Sequence, residues 1–196
     1  MARRFLVEVG ANDGILKSKS RELILTKDWS GLFIEPIKFY FDKLVSNYTN
    51  NNNTYFLNIG ISSIQGKKTI YRINPDFLDD NSYGHGVNSL NRNHKGIMRL
   101  EKQFGTDSLI AETIDCFPLS MIFEDRNITN IDLLIIDTEG YDFNVIQSID
   151  FKKVKPNEII YENKHLNEIN NECEKYLKSL GYIITRKNTD TYCNLA

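Results

Sequence analysis

Two carboxylates, Asp137 and Glu139, stand two positions apart where the apolar run Ile131-Asp132-Leu133-Leu134-Ile135-Ile136 ends. Residues i and i+2 of an extended chain face the same way, although Glu139 could instead serve the start of a following helix. A second polar group, Glu162-Asn163-Lys164-His165, follows the stretch Glu158 to Tyr161. Acids and an imidazole so placed can take the proton of a hydroxyl that comes within roughly 2.6–3.2 Å, or one water away. Asp137, Glu139, Glu162 and His165 are therefore the candidate catalytic groups. Asp137, Glu162 and Asn163 also offer three oxygen ligands suited to a hard ion such as Mg2+, which would polarise the same hydroxyl. Metal-free acid–base chemistry explains the pattern equally well.

A different chemistry is set up near the start of the chain. Glu8 stands in the run Phe5 to Val9, which ends in Gly10-Ala11-Asn12-Asp13-Gly14. This turn lacks the middle glycine of the dinucleotide fingerprint G-x-G-x-x-G. Its acid suits an ammonium group better than a pyrophosphate. Glu35 closes the next apolar run and is placed to accept both hydroxyls of a ribose. Each feature alone also fits an ordinary strand-to-helix junction; together they point to a nucleoside ligand.

These residues need a particular scaffold. The pattern predicts strands at Phe5 to Val9, Gly31 to Glu35, Thr54 to Asn58, Lys67 to Arg72, Leu109 to Ile114, Ile131 to Ile136 and Glu158 to Tyr161. Two more are expected at Tyr182 to Thr185 and Tyr192 to Leu195. Helices are expected over Ser18 to Lys27, from Pro36 to Asn47, over Asp142 to Ile149, and on the face shared by Leu166, Ile169, Cys173, Tyr176, Leu177 and Leu180. Alternation of strand and helix predicts an α/β fold with a mostly parallel sheet and helices on both faces. Ligands of such sheets bind where the strands' carboxyl ends point, which is where the polar groups above fall. Residues 74–108 are polar and irregular, with a short helix expected near Ile97 to Gln103. They read as a lid or substrate insertion within one domain spanning 1–196.

Composition narrows the function classes. The chain has 196 residues, 41% hydrophobic and 26% charged, as a globular protein does. Lys+Arg 24 against Asp+Glu 26 leaves a net charge of -2, which disfavours a globally basic nucleic-acid binder. The three cysteines, Cys116, Cys173 and Cys193, are too far apart for a metal knuckle and odd in number for a disulfide framework. No apolar run spans a bilayer, and Met1 to Arg4 is too short for a signal peptide. The expectation is a cytoplasmic protein with no membrane partner.

The segments Val7 to Gly14, Gly31 to Pro36, Ile131 to Tyr141 and Tyr161-Glu162-Asn163, in this order and spacing, resemble the FkbM-type methyltransferases nearly end to end. The resemblance implies a Rossmann-like class I fold with a seven-stranded sheet of order 3-2-1-4-5-7-6, strand seven antiparallel. It implies S-adenosylmethionine as cofactor. Glu8, Gly10, Asn12 and Gly14 would line its methionine part, with Ser18 alongside. Glu35 would hold the ribose, Asn58 and Ile59 would border the adenine with Ser89 nearby, and Asp137 would sit beside the transferable methyl. Ile135 occupies a place where many relatives carry lysine.

For the acceptor, the N/D-P-P-Y/F motif of enzymes that methylate nucleobase amines is absent. Lys17, Asp137 and Lys164 mimic three members of the Lys-Asp-Lys-Glu tetrad of RNA ribose methyltransferases, without an evident fourth. The leading expectation is O-methylation of a sugar or another small polyhydroxylated acceptor, a glycan included. Tyr83, His85, Arg92 and His94 are candidate contacts, and a second copy of the chain is the candidate protein partner. An RNA ribose methyltransferase, a nicotinamide oxidoreductase and a noncatalytic cofactor-binding domain are the competing classes.

Overall fold

The last four positions of the run Phe5-Leu6-Val7-Glu8-Val9 are buried because it lies in the middle of a sheet, with a parallel neighbour on each side. The computed structural model describes residues 3–80 and 82–196. Met1, Ala2 and Asn81 lie outside the described residues, and with them part of the stretch read for a signal peptide and one position of the predicted insertion. In chain order the elements are β1 (Phe5–Val9), α1 (Arg21–Thr26), β2 (Ser30–Ile34), α2 (Lys38–Asn47), β3 (Thr54–Leu57), β4 (Gly60–Ile61), β5 (Gly66–Ile73), β6 (Asn88–Ser89), α3 (Lys95–Phe104), β7 (Leu109–Phe117), α4 (Leu119–Asp125), β8 (Leu133–Ile136), α5 (Asp142–Gln147), β9 (Glu158–Glu162), α6 (Ile169–Ser179), β10 (Tyr182–Lys187) and β11 (Asp190–Leu195).

The large sheet has seven strands in the order β10-β11-β9-β8-β1-β2-β3. Numbered by their own sequence order, these strands run 3-2-1-4-5-7-6, as expected. β1, β2, β3, β8 and β9 pair in parallel, and β11 runs antiparallel to both β9 and β10. One apolar cluster, including Val7, Val9, Ile34, Ile136, Ile146, Tyr161 and Leu177, packs one face; another, including Leu6, Ile24, Phe33, Leu44 and Ile135, packs the other. All four residues of β8 are buried, which explains the unbroken apolar run that marks it in the sequence.

Several boundaries shift for local reasons. The first helix begins at Arg21 and not at Ser18, because Lys17 takes a left-handed backbone (φ 53°) and the Ser18 hydroxyl accepts from Arg21 N at 3.2 Å. The last helix spans Ile169–Ser179, with Asn167 left-handed (φ 49°) separating it from Leu166. The short helix α4 has no predicted counterpart; its 7 residues hold too little periodicity to read.

The main departure is a second sheet, of order β4-β7-β5-β6, built on a long antiparallel β5–β7 pair from Gly66↔Cys116 to Ile73↔Leu109. Residues 74–108 are less irregular than expected. They contain single 3-10 turns at Pro75–Phe77 and Tyr83–Gly86, the strand β6 and the helix α3, which extends beyond the predicted Ile97 to Gln103. Ile97 and Leu100 of α3 pack with Ile73 and Val87 in a small core of their own.

β1 and β8 come unusually close at their carboxyl ends. Gly10 has φ +81°, and a Cβ added there would lie 1.9 Å from the Asp137 carbonyl oxygen. By contrast Gly105, at the end of α3, has φ +91° with open space around it. Gly10→Ala is therefore expected to cost about 3 kcal/mol, near the upper end for single substitutions. Gly105→Ala should cost only the left-handed strain, about 1–2 kcal/mol. Urea unfolding of both variants checks this; equal losses would refute the close approach.

Candidate active site

Past Ile136 the chain makes its last rung to β1, Asp137 N donating to Val9 O at 3.0 Å, and then turns sharply. Glu139 (φ 51°) and Gly140 (φ 96°) adopt left-handed backbones in succession. The buried Asp142 carboxylate holds the turn by accepting from Thr138 N at 3.4 Å and Gly140 N at 3.2 Å. Glycine at 140 lets β9's polar end approach, since a Cβ there would sit 3.2 Å from the His165 Cβ.

This turn brings Glu139 among residues from β9's end and the 74–108 segment. His165 Nε2 lies 3.2 Å from Glu139 Oε2 and 3.7 Å from Glu162 Oε2, and His94 Nε2 lies 3.8 Å from Glu139 Oε2. The two imidazoles meet edge to face with centroids 4.6 Å apart. Burial, reinforced by the charges of Asp137 and Glu139, pushes the Glu162 carboxyl up to about 7. The hydrogen bond to Glu139 raises His165, whereas burial and then the neighbouring His165 lower His94. Asp137 is raised by burial, against the pull of Lys19, whose Nζ stands 3.5 Å away and also reaches Asp190 at 3.4 Å.

The other group of candidates is arranged by the Gly10 to Gly14 turn. Glu35 Oε2 accepts from Asn12 N and Oε1 from Ile37 N, each at 2.9 Å, so this buried acid stitches the β1 turn to the start of α2. Burial raises it to about 7, despite those two bonds. Glu8 is buried beneath the turn, receives the Ser20 hydroxyl, and is pushed up to about 7 by burial against the opposing Ser20 bond and Lys19 charge. Asn12 Nδ2 donates to His85 O at 2.8 Å, fastening the 3-10 turn of the 74–108 segment over this end.

Both groups open into one cavity of about 350 Å³, within the range of roughly 300–1,000 Å³ usual for small-ligand sites. Among the residues expected to meet a nucleoside ligand, Gly10, Asn12, Glu35, Ile59 and Ser89 line it. All four proton-handling candidates, Asp137, Glu139, Glu162 and His165, line it too. Glu8, Gly14, Ser18 and Asn58 do not. Gly14 packs against Tyr48 and Leu44, Ser18 Oγ accepts from Arg21 N, and Asn58 Nδ2 donates to Glu35 O and Pro36 O, both at 2.9 Å.

The oxygen triad expected for Mg2+ is not assembled. Asn163 turns away and donates to Thr191 Oγ1 at 3.0 Å, because it faces the antiparallel neighbour β11; Glu139 takes the place beside Asp137 and Glu162. Of the expected acceptor contacts, Tyr83 and His94 line the cavity. His85 instead meets Tyr40 at 3.2 Å, and Arg92 is paired with Glu101 at 2.6 Å. Lys19 and Asp142 went unread: the first depends on where β11 lies, whereas the second was visible only as an acid opening a helix.

Comparison with known proteins gives the chain's family and fold. A family model described as the methyltransferase FkbM domain matches residues 8–184, and the chain belongs to that family. Among solved structures, the chain is similar to the methyltransferase FkbM of Methylobacillus flagellatus KT, with 16% identity and TM-score 0.57, covering 97% of this chain and 43% of that one. It thus spans less than half the length of that relative. A putative caffeoyl-CoA O-methyltransferase from Staphylococcus aureus is similar at 10% identity and TM-score 0.52, with 97% and 76% covered. These likenesses show the shared class I methyltransferase fold. No curated protein matches the chain.

The buried acids give a stability signature. Glu8 and Glu35 rise from 4.5 to about 7 in the fold, so their contribution is fully present below about pH 4.5 and is lost as pH climbs through 7. The Tm of the unliganded protein is expected to fall between pH 5 and 8, and Glu8→Gln to flatten that slope. An unchanged slope in the variant would remove Glu8 from this account.

Proposed function

We propose that the chain is an S-adenosylmethionine-dependent O-methyltransferase acting on a hydroxyl of a sugar or another small polyhydroxylated acceptor. The observation that carries the reading is that the ribose-type carboxylate Glu35 and the acid–imidazole cluster share one cavity, joined where Gly10 touches Asp137. The residues fit the cofactor. Each Glu35 oxygen accepts one backbone N–H and keeps a lone pair for a ribose hydroxyl, while Ile59 and Ile61 give an apolar wall for a base. When bound, S-adenosylmethionine supplies an activated methyl on a sulfonium, so the protein's chief task is alignment.

Glu35 and the Gly10 turn fix the cofactor's nucleoside, and Asp137 presents a carboxylate at the junction between cofactor and acceptor. Lys19 holds Asp137 in place and opposes the upward pull of burial on its carboxyl. The acceptor's proton passes to Glu162 Oε2, which is buried, lies beside His165 and has no hydrogen-bond partner among the described residues. Glu139 keeps the His165 ring oriented beside the proton-accepting acid.

RNA ribose methylation is the second reading, favoured by one observation: Lys17, Asp137 and Lys164 line the cavity together with Glu162. The net charge of -2 weighs against a long phosphate backbone as partner. No helix among the described residues is long and apolar enough to cross a membrane. Cys116, Cys173 and Cys193 are buried and free, which supports a reducing, cytoplasmic setting.

The test begins with binding. S-adenosylhomocysteine should raise Tm where NAD does not, and Glu35→Gln should weaken its affinity about tenfold, as expected for a charged hydrogen bond. A labelled-methyl screen over sugars, glycans, small phenols and RNA should give product on a sugar hydroxyl, with turnover lost in Asp137→Ala. Transfer to RNA alone would overturn the small acceptor, and stabilisation by NAD alone would overturn the methyltransferase reading.

A further inference from the structure

We propose that His94, Glu139 and His165 form a binding site for a borderline divalent cation of the zinc type, with Glu162 beside it. His94 is the telling residue. It is only 8% exposed, yet neither ring nitrogen has a hydrogen-bond partner among the described residues, and it lines the cavity. Leaving a buried imidazole unpaired costs free energy, so a partner is to be expected in the space it faces.

The geometry supplies one. One ligand atom each from His94, Glu139 and His165 falls within 4.8 Å of the others. The two imidazole Nε2 atoms stand 3.8 and 3.2 Å from the same Glu139 oxygen. Donors at about 2.1 Å from a tetrahedral ion are roughly 3.4 Å apart, so little movement is needed to close on one. Three elements converge here: the segment before α3, the turn after β8 and the turn after β9. The last two are drawn together by Gly140, where a side chain would crowd His165.

The donor set also decides the ion. Two imidazoles with one carboxylate suit zinc and its neighbours among the transition metals, whereas Mg2+ prefers oxygens alone. Three protein ligands leave a position open, as in sites that bind a water or a substrate oxygen. Glu162 Oε2, unpartnered and 3.7 Å from His165 Nε2, is placed to accept hydrogen from a group in that position. This concerns the same cavity as the methyl-transfer reading but is tested without donor or acceptor, so either can fail alone.

The experiment is calorimetric titration of the EDTA-stripped 196-residue chain with Zn2+, then with Mg2+, at neutral pH. One Zn2+ per chain is expected, with Mg2+ silent over the same range. His94→Ala and His165→Ala should each weaken Zn2+ binding at least tenfold. Both variants should still be stabilised by S-adenosylhomocysteine, or keep the wild-type far-ultraviolet circular dichroism, which separates ligand loss from misfolding. Absence of a one-to-one Zn2+ event, Mg2+ binding in its place, or binding undiminished in both folded histidine variants would overturn the proposal.

Discussion

The close contact between Gly10 and the Asp137 carbonyl is the constraint on which the site depends. Only a residue without Cβ allows the ends of β1 and β8 to meet, and the positive φ of Gly10 sends the chain over into the Asn12 turn. Because the two strand ends meet, the two loops leaving them share one cavity. A wider spacing would separate Glu35 and its turn from Asp137, Glu139 and the groups they contact. The packing of the sheet and the adjacency of two kinds of chemistry are thus one fact.

That adjacency has an energetic cost. Glu8, Glu35 and Asp142 are buried acids and Glu162 a half-buried one; burial favours their protonated forms, and the bonds that three of them receive from backbone N–H groups or a hydroxyl only partly offset desolvation. Glu139 adds a left-handed backbone, held by the Asp142 turn. A core with no function would replace such groups with apolar ones. Strain and desolvation gathered at the strand ends mark this cavity as the candidate site.

Much of this was legible in the sequence, for identifiable reasons. Buried parallel strands read as unbroken apolar runs, so β1, β2, β8 and β9 and the acids following them were found directly. The family resemblance supplied the strand order, which local pattern alone does not determine. Asn163 shows where the reading stopped: its neighbour in sequence, Glu162, faces the cavity, but whether Asn163 faces cavity or sheet depends on β11, paired from distant sequence. Lys19 was hidden in the same way, its partners Asp137 and Asp190 lying on strands far along the chain. The β5–β7 sheet was missed because its strands are exposed on one side and interrupted by 74–108, so that their pairing leaves no short-range mark.

The 74–108 segment links the two ends of the cavity. Asn12, on the turn beside Glu35, holds it through the His85 carbonyl, and Tyr40 of α2 meets the His85 ring. Further along, the same segment pairs with β5 through Ser89 and delivers His94 to Glu139 and His165. The Asn12 amide is therefore one anchor of the strand and turn that carry His94. The Asn12 contact at His85 and the imidazole of His94 lie within roughly ten residues of one another on this chain segment. One segment thus furnishes contacts at both ends of the cavity while the sheet beneath carries the strand ends that it covers.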